Sequence, residues 1–145
     1  MATAQIERVL QQEVMLRLKT AWHKGELQCA FYPIPNGLYI PARNAAEKTM
    51  AARVVLQLKA SGGLTPGAPD LVFLAAHGSG AIELKRPETR TLLDVRRKGA
   101  LSPAQKQQRN WLRELGVNWA VCSTWEEVRD TLVGWRMMRA AAVAA

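Results

Sequence analysis

From Ile6 through Leu10, Val14, Leu18 and Trp22 an apolar residue recurs at every fourth position, with charged and amide residues between. This is one face of an amphipathic helix, which Gly25 ends. Leu27 to Tyr32 is a short apolar and aromatic run closed by Pro33 and Pro35, the pattern of a strand, and Asn36-Gly37 marks a turn. Pro41 to Ala60 is rich in Ala, Leu, Lys and Gln, has no internal glycine or proline, and stops at Gly62-Gly63, which predicts a second helix.

Asp70 to Ala75 and Ala81 to Lys85 are apolar runs separated by His77-Gly78-Ser79-Gly80, and they read as a β-hairpin. Ser102-Pro103-Ala104-Gln105 has a hydroxyl at the cap, proline at the first helical position and glutamine at the third, a capping-box start to a helix running to Leu115 and Gly116. Val117, Trp119 and Val121 alternate with Asn118, Ala120 and Cys122 in a last strand. Trp125, Val128, Leu132 and Trp135 line a final helix capped by Ser123 or Thr124. The order α-β-α-β-β-α-β-α predicts an α/β fold, a mixed central sheet flanked by helices. Residues 1–139 form one expected domain, and the alanine-rich residues 140–145 are expected to fray. Pro87 to Leu101 is the longest stretch with no assigned element, a length that in a compact domain points to function or mobility.

Composition sharpens this picture. A chain of 145 residues with 48% hydrophobic and 22% charged residues is globular, and its size suits a single core. Twenty Lys and Arg against twelve Asp and Glu give a net charge of +8, a footprint suited to a polyanion, although solubility alone accounts for comparable charge elsewhere. Cys29 and Cys122 are far apart with no CxxC partner, so reduced thiols in a cytoplasmic core are expected rather than a disulfide or zinc site. No leader-like segment and no run of about 20 apolar residues directs the chain to a membrane, and a cytoplasmic protein is expected.

The chemistry concentrates on the hairpin. Strand alternation points Glu83 and Lys85 to one face and Ile82 and Leu84 to the other. If the two strands pair through the short turn, Asp70 comes close to Glu83. Two carboxylates offer hard oxygen ligands to Mg²⁺, which favours an incomplete protein cage, and the carbonyl of Leu84 offers a further oxygen. An ion held there polarises a phosphodiester and activates a water, while Lys85 orients that water or stabilises developing charge. The competing reading of the same residues is a solvated strand face. His23 and His77 lack a second ligand at metal-binding spacing and are expected on the surface. The tryptophans, at helical or strand spacing, are expected in the core.

Gly67-Ala68-Pro69-Asp70-Leu71, Ile82-Glu83-Leu84-Lys85-Arg86-Pro87 and Leu101-Ser102-Pro103-Ala104-Gln105-Lys106 together resemble the virus-type replication-repair nuclease (VRR-NUC) family of the PD-(D/E)xK superfamily. The resemblance extends to Glu7 with Gln11, Pro35-Asn36-Gly37, Ala51-Ala52 to Gly62, Leu115-Gly116, and Val121-Cys122 leading into Trp125-Glu126-Glu127. It implies a restriction-endonuclease-like core and a DNA endonuclease dependent on Mg²⁺ or Mn²⁺, without a small-molecule cofactor. By position, Asp70, Glu83, Glu7 and the Leu84 carbonyl would hold the metal and Lys85 would be the catalytic lysine. Gln105 matches the glutamine after the core strands, though the capping box alone also places glutamine there. Glu13 on the same helix competes with Glu7, and the pairing with Gln11 favours Glu7. Stand-alone members imply a homodimer acting on branched DNA such as Holliday junctions or forks, of phage or prophage origin. Arg86, Arg90, Arg96, Arg97, Lys98 and Lys106 are candidate DNA contacts. The Pro87 to Leu101 link is longer than the family pattern, and its basic residues either track a DNA backbone or form a solvated loop. A structured-DNA-binding module without catalysis is the alternative function.

Overall fold

The computed structural model describes residues 3–35, 42–90, 95–96 and 99–140, with residues 3, 4, 89, 90, 95 and 96 as backbone only. Along the chain run α1 (Thr3–His23), β1 (Ala30–Pro33), α2 (Ala45–Ala60), β2 (Leu71–Ala75), β3 (Gly78–Leu84), β4 (Thr89–Arg90), β5 (Val95–Arg96), α3 (Pro103–Glu114), β6 (Asn118–Cys122) and α4 (Trp125–Gly134). The main sheet has the order β1-β2-β3-β6, antiparallel across its first two pairs and parallel between β3 and β6. The fold is therefore α/β, with a four-stranded mixed sheet flanked by helices. Among the described residues no helix is long and apolar enough to cross a membrane.

Two elements lie where none was expected. Within Pro87 to Leu101, β4 and β5 pair antiparallel as a separate ribbon, Thr89 with Arg96 and Arg90 with Val95. Strands of two residues carry too few side chains to show a periodicity. The second helix begins at Ala45 rather than Pro41, because the Asn44 side chain caps it by accepting from the Glu47 N–H at 2.9 Å. Pro41, the Asn36-Gly37 turn and residues 141–145 of the expected frayed tail lie outside the described residues.

The first strand covers Ala30–Pro33 instead of Leu27 to Tyr32, since Leu27 is drawn into an isolated bridge with Met138. In the hairpin, β3 begins at Gly78, so the connection shrinks to Ala76 and His77 and Gly80 pairs with Phe73 inside the ladder. Gly80 is there for packing, not for turning: a Cβ at that position would collide with the Trp135 ring.

Cross-strand register gives the sheet two unlike faces. Leu71, Phe73, Ile82, Leu84 and Cys122 share one face and pack with Leu10, Val14, Leu18 and Ala21 of α1 and Trp125, Val128 and Leu132 of α4. Burying each large aliphatic or aromatic side chain contributes about 1.5–3 kcal/mol, so this layer is the main source of stability. The α1 stripe ends on Ala21, and Trp22 is 61% exposed, contrary to expectation. Residues four apart advance about 40° around a helix of 3.6 residues per turn, so three such steps from Leu10 carry Trp22 off the core. Trp111, on α3, is likewise exposed, whereas Trp125 is buried and Trp119 and Trp135 are half-buried. The tryptophans thus divide between core and surface.

After α4 the chain turns back on itself. Arg136 takes a left-handed conformation (φ 59°), the Met137 N–H donates to the Leu132 carbonyl at 2.8 Å, and Met137 and Met138 enter the core. Gln28 N–H donates to the Met137 carbonyl and Arg139 N–H to that of Glu26, which ties this segment to the link between α1 and β1. Both cysteines are free thiols. Cys122 is fully buried, and burial pushes the half-buried Cys29 thiol up to about 11.

Candidate active site

The second face of the sheet carries charge, and Gly67 begins its construction. Its φ of +76° is one that L side chains rarely adopt, and a Cβ there would collide with the Ala104 carbonyl and the Gln105 nitrogen. The loop thereby lies directly on the first turn of α3 and delivers Asp70 to the start of β2. There the Asp70 carbonyl accepts from Ile34 N–H at 2.9 Å, and its side-chain Oδ2 accepts from Leu84 N–H at 2.7 Å. Since Leu71 pairs with Ile82, Asp70 stands opposite Glu83, as the hairpin reading required.

Glu83 is 3% exposed and Lys85 9%, on the same side of the extended chain. Lys85 Nζ lies 3.8 Å from Glu83 Oε1. Burial pushes the Glu83 carboxyl up to about 8, and the neighbouring Asp70 charge, a hydrogen bond with Asp70 and the more distant Glu7 charge add to the effect, while Lys85 opposes it. Burial, reinforced by Asp70, outweighs the Lys85 ammonium, and Glu83 retains its proton near neutrality.

Gln105 reaches the same carboxylate. Its Nε2 donates to Glu83 Oε1 at 2.5 Å, while its Oε1 accepts from Ser102 N–H at 2.8 Å and its own N–H donates to Ser102 Oγ at 3.2 Å. The carbonyl half of the amide completes the capping box, and the amino half donates to Glu83.

Glu7 on α1 approaches from the other side. A Cβ built on Gly99 would lie 3.3 Å from Lys85 Cδ, 3.4 Å from Arg86 Cγ and 3.4 Å from Glu7 Oε1, so these side chains converge on one glycine. Glu13 is exposed and contributes nothing to Glu83. The Leu84 carbonyl turns to the edge its N–H shares with Asp70, because both backbone groups of a strand residue point the same way. Among the described residues no group of three or more His, Cys, Asp or Glu is arranged to hold a metal ion. The donors present are the Asp70–Glu83 pair, with Glu7 further off.

The basic residues separate. Arg86 is half-buried beside Lys85, with its Nε buried and without a hydrogen-bond partner among the described residues. Lys106 is exposed on α3, next to Gln105. Arg90 and Arg96 sit on the β4–β5 ribbon; their side chains, and all of Arg97 and Lys98, lie outside the described residues. Both histidines are exposed, and His77 Nε2 lies 2.9 Å from the Trp135 carbonyl. Sequence reading passed over Arg109 and Arg113, whose guanidinium carbons stand 5.9 and 5.4 Å from the centre of the Trp119 ring. The available signal was their spacing from Lys106, three and seven positions along one helix.

No protein-family model matches the chain, and neither a curated protein nor a solved structure does so.

Proposed function

We propose that the chain is a metal-dependent DNA endonuclease of the VRR-NUC type, with a restriction-endonuclease-like core. The observation that carries this reading is the Asp70–Glu83 carboxylate pair with Lys85 alongside, the buried Glu83 carboxyl raised to about 8 by its burial and by the Asp70 charge. The donor set suits Mg²⁺ or Mn²⁺, since such ions are commonly held by one or two carboxylates and complete their shell with water and substrate phosphate. Asp70 and Glu83 would hold the ion, with the Leu84 carbonyl and Glu7 as further oxygens. When bound, the ion supplies Lewis acidity toward the phosphodiester and lowers the pKa of a water.

The chain's own groups do the rest. Lys85 Nζ, fixed near Glu83, orients the attacking water and offsets charge gathering on the phosphate oxygens. Gln105 Nε2 holds Glu83 in one rotamer, and Leu84 N–H does the same for Asp70. The half-buried Arg86, with the exposed Lys106, extends the cationic surface toward DNA. A branched substrate and a homodimer belong to this proposal through the family resemblance alone.

The test is cleavage of radiolabelled four-way junction, fork and linear duplex. Cutting is expected with Mg²⁺ or Mn²⁺, and EDTA or Asp70→Ala should abolish it while binding persists. A second reading, a structured-DNA-binding module without catalysis, draws on the lack of a three-ligand cluster among the described residues. It prevails if wild-type protein binds all three substrates and cuts none with either metal.

A further inference from the structure

We propose that the flank of α3 carrying Lys106, Arg109 and Arg113, braced by Trp119, is a contact track for the phosphodiester backbone of a nucleic acid strand leading away from the carboxylate site. The proposal rests on the nuclease reading in taking the strand to meet the protein at Glu83. Its evidence is independent of that chemistry.

Two guanidiniums four residues apart converge on one indole, Arg109 at 5.9 Å and Arg113 at 5.4 Å. Like charges at that spacing repel one another. A carboxylate would relieve them, yet neither arginine forms an ion pair with one among the described residues; Arg109 Nε donates only to the neutral Asn110 side chain, at 3.1 Å. A solvated helix face lets such side chains spread apart. Here the Trp119 ring gathers them instead, through attraction of cations to its π face. The pair is thereby preorganised to meet an anion.

The position of the pair supplies the partner. Gln105, one residue before Lys106, touches Glu83, and Trp119 pairs with Ala81, two residues before Glu83 on the same sheet face. The three cations therefore start at the active-site end of α3 and descend along β6, an edge strand of the sheet. From Lys106 to Arg113 the helix rises about 10 Å, and one DNA strand places a phosphate about every 3.4 Å along its axis, so three cations meet roughly three phosphates. The chain's charge of +8 favours the same class of ligand.

The test is equilibrium binding of a fluorescent four-way junction and a linear duplex in EDTA, titrated with KCl. Wild type is compared with Arg109→Gln/Arg113→Gln, which keeps helix propensity, and with Arg109→Lys/Arg113→Lys, which keeps charge. The glutamine variant should bind at least tenfold more weakly at low salt, with the slope of log affinity against log salt reduced by nearly 2, at about 0.9 per phosphate contact. The lysine variant should keep the wild-type slope, and unchanged melting of both variants would show that the helix is intact. Should the glutamine variant be less stable, the lysine variant decides: loss of slope there as well would overturn the proposal. An unchanged slope in the glutamine variant, or tighter binding of wild type to polyglutamate than to DNA, also overturns it. Cleavage by wild type with an unaltered slope would sink this inference alone, whereas an altered slope without any cleavage would sink the nuclease reading and leave the track standing.

Discussion

Glu83 makes a pH-dependent statement about the site. Its carboxyl is raised from 4.5 to about 8 in the folded chain. The protonated form is thus favoured by folding, and its contribution to stability is present below about pH 4.5 and lost as pH rises through 8. Metal binding runs the other way, because a ligating carboxylate must be ionised. Between pH 6 and 8 the affinity for Mn²⁺ should rise by up to about tenfold per pH unit, levelling off above 8, and Glu83→Gln should abolish both the binding and its pH dependence. Calorimetric titration at three pH values checks this, and an affinity indifferent to pH would remove Glu83 from the ligand set. At Gln105 the two halves of one amide can be tested separately. Gln105→Ala loses the cap and the Glu83 contact together, and should lower stability by about 1 kcal/mol. Gln105→Glu preserves an acceptor for Ser102 N–H but sets a carboxylate against Glu83, so it should keep the cap and raise the pH at which metal binds. Thermal melts and the same titrations distinguish the variants.

At the scale of elements, the site depends on how closely the loop before β2 approaches the start of α3. Gly67→Ala introduces both an unfavourable backbone conformation and a collision with Ala104, so α3 must shift. A loss of at least about 1–2 kcal/mol is expected, together with weaker metal binding as Gln105 withdraws from Glu83. An unperturbed melting curve would show that the contact is dispensable. Much of this element structure was legible in advance, and the pattern of success is physical. The α3 start was readable because Ser102, Pro103 and Gln105 act within one turn. Glu83 beside Lys85, and Asp70 across from them, followed from strand alternation and a hairpin. What escaped depended on distant partners. Gly78-Ser79-Gly80 has the composition of a turn, and nothing nearby reveals that Trp135 requires Gly80 to be flat. Trp22 fitted a period of four, while the helix itself turns with a period of 3.6. Arg109 and Arg113 drew no reading, because the partner that gathers them, Trp119, comes from β6. The approach of Glu7 to Gly99 likewise exists only in the folded chain.

In the molecule as a whole, the two faces of one sheet have separate tasks: hydrophobic residues with α1 and α4 on one, and acids, lysine and α3 on the other. Substitutions among the acids should therefore alter metal and DNA behaviour without dismantling the core. The segment after α4 serves the core, holding Met137 and Met138 in the interior. Ending the chain at Trp135 removes both methionines and the hydrogen bonds to Gln28 and Glu26. Buried methionines contribute about 2–5 kcal/mol each, which approaches the whole stability of an ordinary domain. The truncated protein should lose its cooperative thermal transition, read by circular dichroism, and a normal melt would show that the segment is peripheral. The same tie has a meaning for synthesis. Leu27 and Gln28 emerge from the ribosome early, but their partners Met138 and Met137 emerge more than a hundred residues later. The nascent chain completes α1 and the hairpin long before it can close its interior, so the strands carrying Asp70, Glu83 and Lys85 stay without that support until Met137 and Met138 have been made.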